Sequence, residues 1–420
     1  MGNRAGRSIN IDDLAAFIPD GSRVYLSQAT GTPYGLLDHL DEARATWTEL
    51  EFVSAFLLRT PAPLAHLGEP FRWRSMQATG AMRSALDHPA FGIIPARYSD
   101  FETMLSPTGA LPADVVMCQV SPPDADGNLT LGTSAGGHAA LLHTAPLVVG
   151  QVNPQMPHVY GVGECHVTDF DLLVEVDEPL AELPPAPIDE TSAAIARHIE
   201  PYITDRSTLQ FGIGAVPDAV LSTLTDRHGL GLHGGMVNDA CVELVRSGAV
   251  DNQHKGRDEG ISVAAEVIGT RTAFDWVDHN PAVRLVHGVH SHGIVGMGSV
   301  ANFVALQSTV EIALDGSANS EFAAGRYISG PGGAPDFAFG ASIATGGRSI
   351  MALPSTAAGG AISKIVRQVA TGAPTTLPNY TADVVVTEYG AVELRGRTLA
   401  ERAELLISIA HPDHRDGLSG

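Results

Sequence analysis

The chain has 420 residues, 44% of them hydrophobic and 17% charged, which excludes a disordered chain and predicts two or three domains at roughly 150 residues each. Its net charge is −22, from 25 Lys and Arg against 47 Asp and Glu, with no basic run. A nucleic-acid groove needs clustered cations to displace counterions from phosphate, so that class is set aside.

From the N-terminus, MGNRAGRSIN lacks the apolar core of a signal peptide, and no later apolar run approaches a membrane span. A soluble, cytoplasmic protein with no membrane partner is expected. Short apolar runs then alternate with helical patterns: SRVYLSQ, ELEFVSAFLL, ADVVMCQV, APLVVGQVN, DLLVEVD, TLQFGIG, AEVIG and ADVVVTEYG. Strands buried on both faces read as continuous apolar runs, and their alternation with helices predicts an α/β fold with parallel sheets. The proline-rich segment Leu180–Glu190 can form neither helix nor central strand, so it is the expected linker between an N-terminal half, 1–180, and a C-terminal half, 190–420. The segments Ser22–Leu37 and Ser207–Leu221 share one layout, a strand, a glycine loop, a proline and a helix. Two related α/β halves facing one another would leave a cleft between them as the natural ligand site.

Four motifs carry candidate chemistry. In Phe211-Gly212-Ile213-Gly214-Ala215-Val216-Pro217 the proline stands where a dinucleotide fingerprint needs its third glycine, and no glycine loop is followed by Lys-Ser/Thr. What remains is a strand-to-helix turn whose amides could face an anion or oxyanion, or a tight turn needing glycine for its backbone angles. Ser329–Phe337 (SGPGGAPDF) holds three glycines among two prolines, a strip of backbone that a ligand can approach closely. A β-branched residue at Gly332 is therefore expected to block the ligand and spare the fold. Gly132–Gly136 (GTSAG) matches a nucleophile elbow around Ser134, but the preceding NLTLG alternates polar and apolar residues, unlike the buried strand that normally feeds an elbow. Ser134 is expected to be structural. His287, His290 and His292 lack metal-ligand spacing and an acidic helix motif, so a solvated loop and no metal are expected. Cys118, Cys165 and Cys241 form no CxxC pair and read as free thiols in apolar surroundings.

Taken together, Val120–Asp124 with Gly127, Gln151–Asn153 with Met156-Pro157, Leu209–Leu221, Gly330–Phe337, Leu353–Thr356, Val386–Gly390 with Leu394–Gly396, and Ile409–Pro412 resemble the acetyl-CoA hydrolase/transferase family, which includes the 4-hydroxybutyrate and acetate CoA-transferases. The resemblance runs from about residue 20 to the C-terminus. It implies two related open α/β domains of the CoA-transferase type, an active site in the cleft between them, and coenzyme A or an acyl-CoA as substrate with no permanently bound cofactor. Family members move CoA between acids through a glutamate, which forms an acyl anhydride and then a glutamyl thioester, while backbone amides hold the oxyanion. By resemblance those amides belong to Ile213, Gly332 and Gly333. The side-chain-free strip at Gly330, Gly332 and Gly333 is the expected CoA contact, Lys364 after the Ser-Thr loop is the candidate for a CoA phosphate, and Met236 and Gln307 are the expected substrate contacts.

The family's glutamate falls in a segment that reads Leu232-His233-Gly234-Gly235-Met236 in this chain, so the resemblance places Gly235 at the nucleophile's position. Asp239 follows in the family's register, Gln307 replaces a usual Asn, and Glu388 is kept. Three readings result. An acyl-CoA enzyme could transfer the acyl group directly to an alcohol, amine or water in the vacated space, with His233 or Glu388 taking the acceptor's proton. A pseudoenzyme could only bind acyl-CoA. A serine hydrolase could use Ser134. The expected partners are acyl-CoA and a small-molecule acceptor, with a homodimer as candidate assembly.

Overall fold

The computed structural model describes residues 4–419. Two sheets organise the chain. The first has eight strands: β1 (Arg7–Ile9), β2 (Arg23–Leu26), β3 (Leu50–Ser54), β4 (Phe71–Ser75), β5 (Phe91–Ile93), β6 (Val115–Val120), β7 (Leu147–Val152) and β8 (Leu172–Glu175). They lie in the order β1-β8-β7-β6-β2-β3-β4-β5, and every pair is parallel. The second sheet has six: β9 (Thr208–Phe211), β10 (Gly231–Leu232), β11 (Phe303–Ser308), β12 (Arg348–Ala352), β13 (Val384–Thr387) and β14 (Gly390–Glu393). Its order is β10-β9-β11-β12-β13-β14, parallel except for the final β13–β14 hairpin.

The apolar runs of the sequence become these strands because both of their faces are covered. All six residues of β6 and all four of β13 are buried, including the polar Gln119 and Thr387. Side chains on opposite faces of the first sheet enter different clusters. Val24 and Leu26 of β2 pack with Leu36, Leu37 and Trp73, whereas Tyr25 packs with Val53, Val116 and Phe101 on the side that continues into the C-terminal half. That period-two division is what a doubly covered sheet requires. Between the sheets, residues 176–189 carry no helix or strand.

In both halves a strand runs through a loop into a helix, β2 into α1 (Tyr34–Glu42) and β9 into α2 (Ala215–Ser222). The two loops sit on the same cavity, where Gln28 and Ala29 from the first face Gly212 and Ile213 from the second. No helix among the described residues is long and apolar enough to cross a membrane.

Candidate active site between the two sheets

A cavity of about 310 Å³ opens between the halves. Its walls include Gln28, Phe56, Gln77 and Tyr98 from the N-terminal half, and Gln210, Ile213, Gly235, Met236, Glu266, His292, Gln307, Gly333 and Phe337 from the C-terminal half. Among these residues Glu266 is the one carboxylate, and no Lys or Arg lines the space.

Local structure brings Glu266 there. It opens a two-residue strand, Glu266–Val267, whose parallel partner is Met236–Val237, with Glu266 in register with Met236. The amides of Ala265 and Glu266 both donate to the Gly235 carbonyl, at 3.2 and 3.1 Å. The carboxylate therefore rises beside residue 235 on the next chain segment. It is 3% exposed. Its Oε1 accepts from Gln28 Nε2 at 2.7 Å and from the Tyr98 hydroxyl at 2.6 Å, while Oε2 has no hydrogen-bond partner. Burial pushes its pKa up to about 7, against the opposing influence of the Ser134 hydroxyl, Tyr98 and Gln28. Tyr98 is itself pushed well above 10, first by burial and then by the Glu266 charge.

His292 forms the adjoining wall. It stacks on Tyr98, with ring centroids 4.1 Å apart, and packs against Phe337 at 4.3 Å. Its Nδ1 bonds to Ser291 Oγ at 2.8 Å, and burial drives its pKa down to about 3, so the ring is neutral. A Cβ on Gly235 would stand 3.3 Å from His292 Nε2, so residue 235 directs any side chain at this imidazole.

The loop after β9 supplies backbone. Ile213 is 38% exposed, and no described carbonyl accepts from its amide. A Cβ on Gly212 or Gly214 would meet nothing within 4 Å. Across the cavity, Gly333 caps helix α3 (Ala334–Ile343), and its amide likewise donates to no described carbonyl. Two sets of unbonded amides thus border the same space, which is the arrangement an oxyanion requires. Gln307, from β11, donates through Nε2 to Gln210 Oε1, and Met236 lines the wall.

Several sequence expectations need correction. The histidine run is not a solvated loop. His287 bonds to Glu102 and His290 to Asp258 and Arg257, and His292 is buried in the cavity wall, because residues Gly288–Ser291 wind into a helical turn that packs on the N-terminal half. His233 and Glu388 do not line the cavity. His233 is sealed, with neither ring nitrogen bonded and a pKa near 3 from burial. Glu388 accepts from the Ser355 amide and hydroxyl at 2.8 and 2.6 Å, and its charge faces Lys364, which also lies outside the cavity lining. The glycine strip meets protein before ligand. A Cβ on Gly330 would come 2.3 Å from the Met76 carbonyl, and Gly332 has φ +57° and would touch Gln77 at 2.8 Å. Gly332→Val would therefore strain the fold as well as the site.

Ser134 is 1% exposed, and its Oγ accepts from the Gln28 amide at 3.4 Å. The strand before it, Asn128–Thr130, pairs only with Glu164–His166 in a small antiparallel ladder outside the main sheet. No described histidine bonds to it. No group of three or more His, Cys, Asp or Glu that could hold a metal exists among the described residues.

Comparison with known proteins places these features in a family. The model of the acetyl-CoA hydrolase/transferase N-terminal domain matches residues 7–184, and that of the C-terminal domain matches residues 269–420. The chain belongs to the acetyl-CoA hydrolase/transferase family. It is 35% identical over 411 residues to a 4-hydroxybutyrate coenzyme A transferase of Clostridium kluyveri, covering 98% of this chain and 96% of that one. A succinyl-CoA:acetate/propanoyl-CoA:succinate CoA transferase of Fasciola hepatica is 33% identical, with 97% and 86% covered. Among solved structures, RipA from Yersinia pestis superposes with a TM-score of 0.93 at 30% identity, covering 98% and 96% of the two chains. The protein is thus an enzyme of the CoA-transferase superfamily that processes acyl-CoA, with two related α/β layers as its fold. Residues 185–268, which hold Gly235 and Glu266, lie between the two matched segments.

Proposed function

We propose that this enzyme binds an acyl-CoA in the cavity between the sheets and transfers the acyl group directly to a second substrate, with no acyl-enzyme formed at residue 235. The observation that carries this reading is the pairing of unbonded amides at Ile213 and Gly333 with a side-chain-free residue at Gly235 on one cavity. The amides take the thioester oxygen as charge develops on it. Gly235 offers no nucleophile, and because a Cβ there would already crowd His292 at 3.3 Å, the acceptor takes the open cavity beside it. Attack on the thioester carbon gives a tetrahedral intermediate, and CoA leaves as the thiol.

Two-substrate kinetics test this reading, since a ternary complex gives intersecting double-reciprocal lines and a covalent intermediate gives parallel ones. Borohydride, which reduces a glutamyl thioester, is expected to leave activity unchanged after preincubation with acetyl-CoA. Parallel lines together with borohydride inactivation would replace direct transfer by the family's covalent route. The pseudoenzyme reading predicts binding of acetyl-CoA with no thiol released to any acceptor.

A further inference from the structure

We propose that Glu266 is the catalytic base that removes the acceptor's proton, and that the acceptor is a hydroxyl compound or an amine rather than a carboxylate. This rests on the direct-transfer reading. Four observations converge on it. Glu266 is the one carboxylate lining the cavity and stands on the strand segment hydrogen-bonded to Gly235. Tyr98 and Gln28 hold Oε1 and fix the carboxylate, while Oε2 is buried and makes no hydrogen bond, with the Ser134 hydroxyl close enough to favour the ionised form. A buried, unbonded carboxylate oxygen is costly unless a ligand donor completes it. The remaining polar side chains of the wall, Gln28, Gln77, Gln210, Gln307, Ser308 and His292, are neutral, so once the amides hold the thioester oxygen no counter-charge is left for an anionic acceptor beside Glu266.

The groups facing Glu266 are few. Tyr98, on the turn before Phe101, and Tyr25, on β2, are both held neutral by burial and by the Glu266 charge. His292, stacked on Tyr98, is neutral, and Ser134 and Gln28 carry no charge. With no cation among these neighbours, Glu266 titrates near 7, where at neutral pH a base is about half ionised and basic enough to accept a proton. In the step proposed, Oε2 takes the acceptor's O–H or N–H proton as that atom bonds to the thioester carbon. The carbonyl electrons move to the oxyanion and return as the C–S bond breaks. The proton on Glu266 then passes to the departing thiolate, giving CoA–SH and an ester or amide.

The test compares butan-1-ol, butylamine and butyrate as acceptors of one chain length, with acetyl-CoA as donor, following free thiol and butyryl-CoA. Thiol release to the alcohol, the amine or water, with no butyryl-CoA from butyrate, is expected. Glu266→Gln is expected to lower kcat at least about 100-fold while KM for acetyl-CoA moves less than about threefold. Log kcat of the parent should rise with pH and level off above an inflection near 7, and that inflection should vanish in Glu266→Gln. Tyr98→Phe, which removes a hydrogen bond that favours the ionised form, should move the inflection upward, and it tests the same idea should Glu266→Gln fold poorly. Intersecting kinetics with an unchanged pH profile in Glu266→Gln would overturn the role of Glu266 and leave direct transfer standing. Butyryl-CoA formed from butyrate, with borohydride inactivation that Glu266→Gln abolishes, would overturn both and make Glu266 a covalent nucleophile. Acetyl-CoA binding with no thiol released to any acceptor or to water would also sink both.

Discussion

The loop that follows β2 and the loop that follows β9 share a layout but are built in opposite ways. Residues 26–34 are buried throughout, and there glycine permits close packing: a Cβ on Gly31 would lie 2.5 Å from Ser134 Cβ. The loop contributes a side chain, since Gln28 reaches across to Tyr98 and Glu266. Thr30 donates to the Val267 carbonyl beside it, which ties the two halves together at the same place. In the C-terminal loop, Gly212 and Gly214 face open space, Ile213 is exposed, and the contribution is backbone N–H. One loop fixes the carboxylate and the other presents bare backbone to the cavity, so equal substitutions should have unequal consequences.

The largest contrast is expected between Gly31→Val and Gly212→Ala. At residue 31 the new side chain has no room between Ser134 and the Gln28 carbonyl, and overpacking of this kind costs about 1–3 kcal/mol or more. Thermal unfolding should show a fall in Tm of several degrees. At residue 212 the added methyl meets no protein atom, so stability should change by less than about 0.5 kcal/mol. Acetyl-CoA turnover should nonetheless fall about tenfold, because the methyl enters the space beside the Ile213 amide. Equal loss of stability in the two variants would erase the distinction between the loops.

A smaller effect separates Glu266 from its surroundings. Its pKa in the folded protein, about 7, lies above the ordinary 4.5. The folded state therefore binds the proton more tightly, and this contribution is full below 4.5 and lost as pH rises through about 7. The interval corresponds to on the order of 3 kcal/mol, and relaxation around the carboxylate should reduce what is measured to about 2 kcal/mol. Glu266→Gln removes the titration, so the variant should gain stability over the parent at pH 8 and not at pH 4. Urea unfolding at the two pH values measures this. A difference independent of pH would mean that the carboxylate already ionises freely in the folded chain.

The strands were legible because burial on both faces leaves a continuous apolar signature, and β2, β3, β6, β7, β8, β9 and β13 all fall within runs that could be read from the sequence. Of the expected site residues, Ile213, Gly235, Met236, Gln307 and Gly333 do border the cavity, and the two glycine-rich turns among them advertise themselves in the sequence. Glu266 does not. It sits in AEVIG, a run that reads as an ordinary short strand, and nothing local distinguishes a carboxylate that faces a cavity from one that faces solvent. Its role depends on Tyr98 and Gln28, which lie 168 and 238 positions away in the chain. His292 escaped for a similar reason, since three closely spaced histidines look polar and exposed until the fold places one of them against Tyr98 and Phe337. His233 drew attention by standing two residues before Gly235, but the chain bends at Gly234-Gly235 and its ring is buried near His290 and Phe303, outside the cavity lining.

The smallest effect belongs to Ser134, which lies where the two halves meet. Its hydroxyl favours the ionised form of Glu266, and its Oγ accepts only a long bond from the Gln28 amide. Ser134→Ala removes that influence and leaves Glu266 otherwise in place. The pKa of Glu266 should rise further, so kcat at pH 7 should fall by about 1.5- to twofold, because a rise of about 0.3 to 0.5 pH units leaves less of the base ionised. At pH 8.5, where the carboxylate ionises in both proteins, the rates should converge. A nucleophilic serine would behave differently: its removal abolishes turnover at every pH, and a fluorophosphonate labels it in the parent. No described histidine bonds to Ser134 to activate it, and the residue is buried. Convergence of the two rates at high pH, with no label on Ser134, is therefore the result that keeps the proton-accepting role on Glu266.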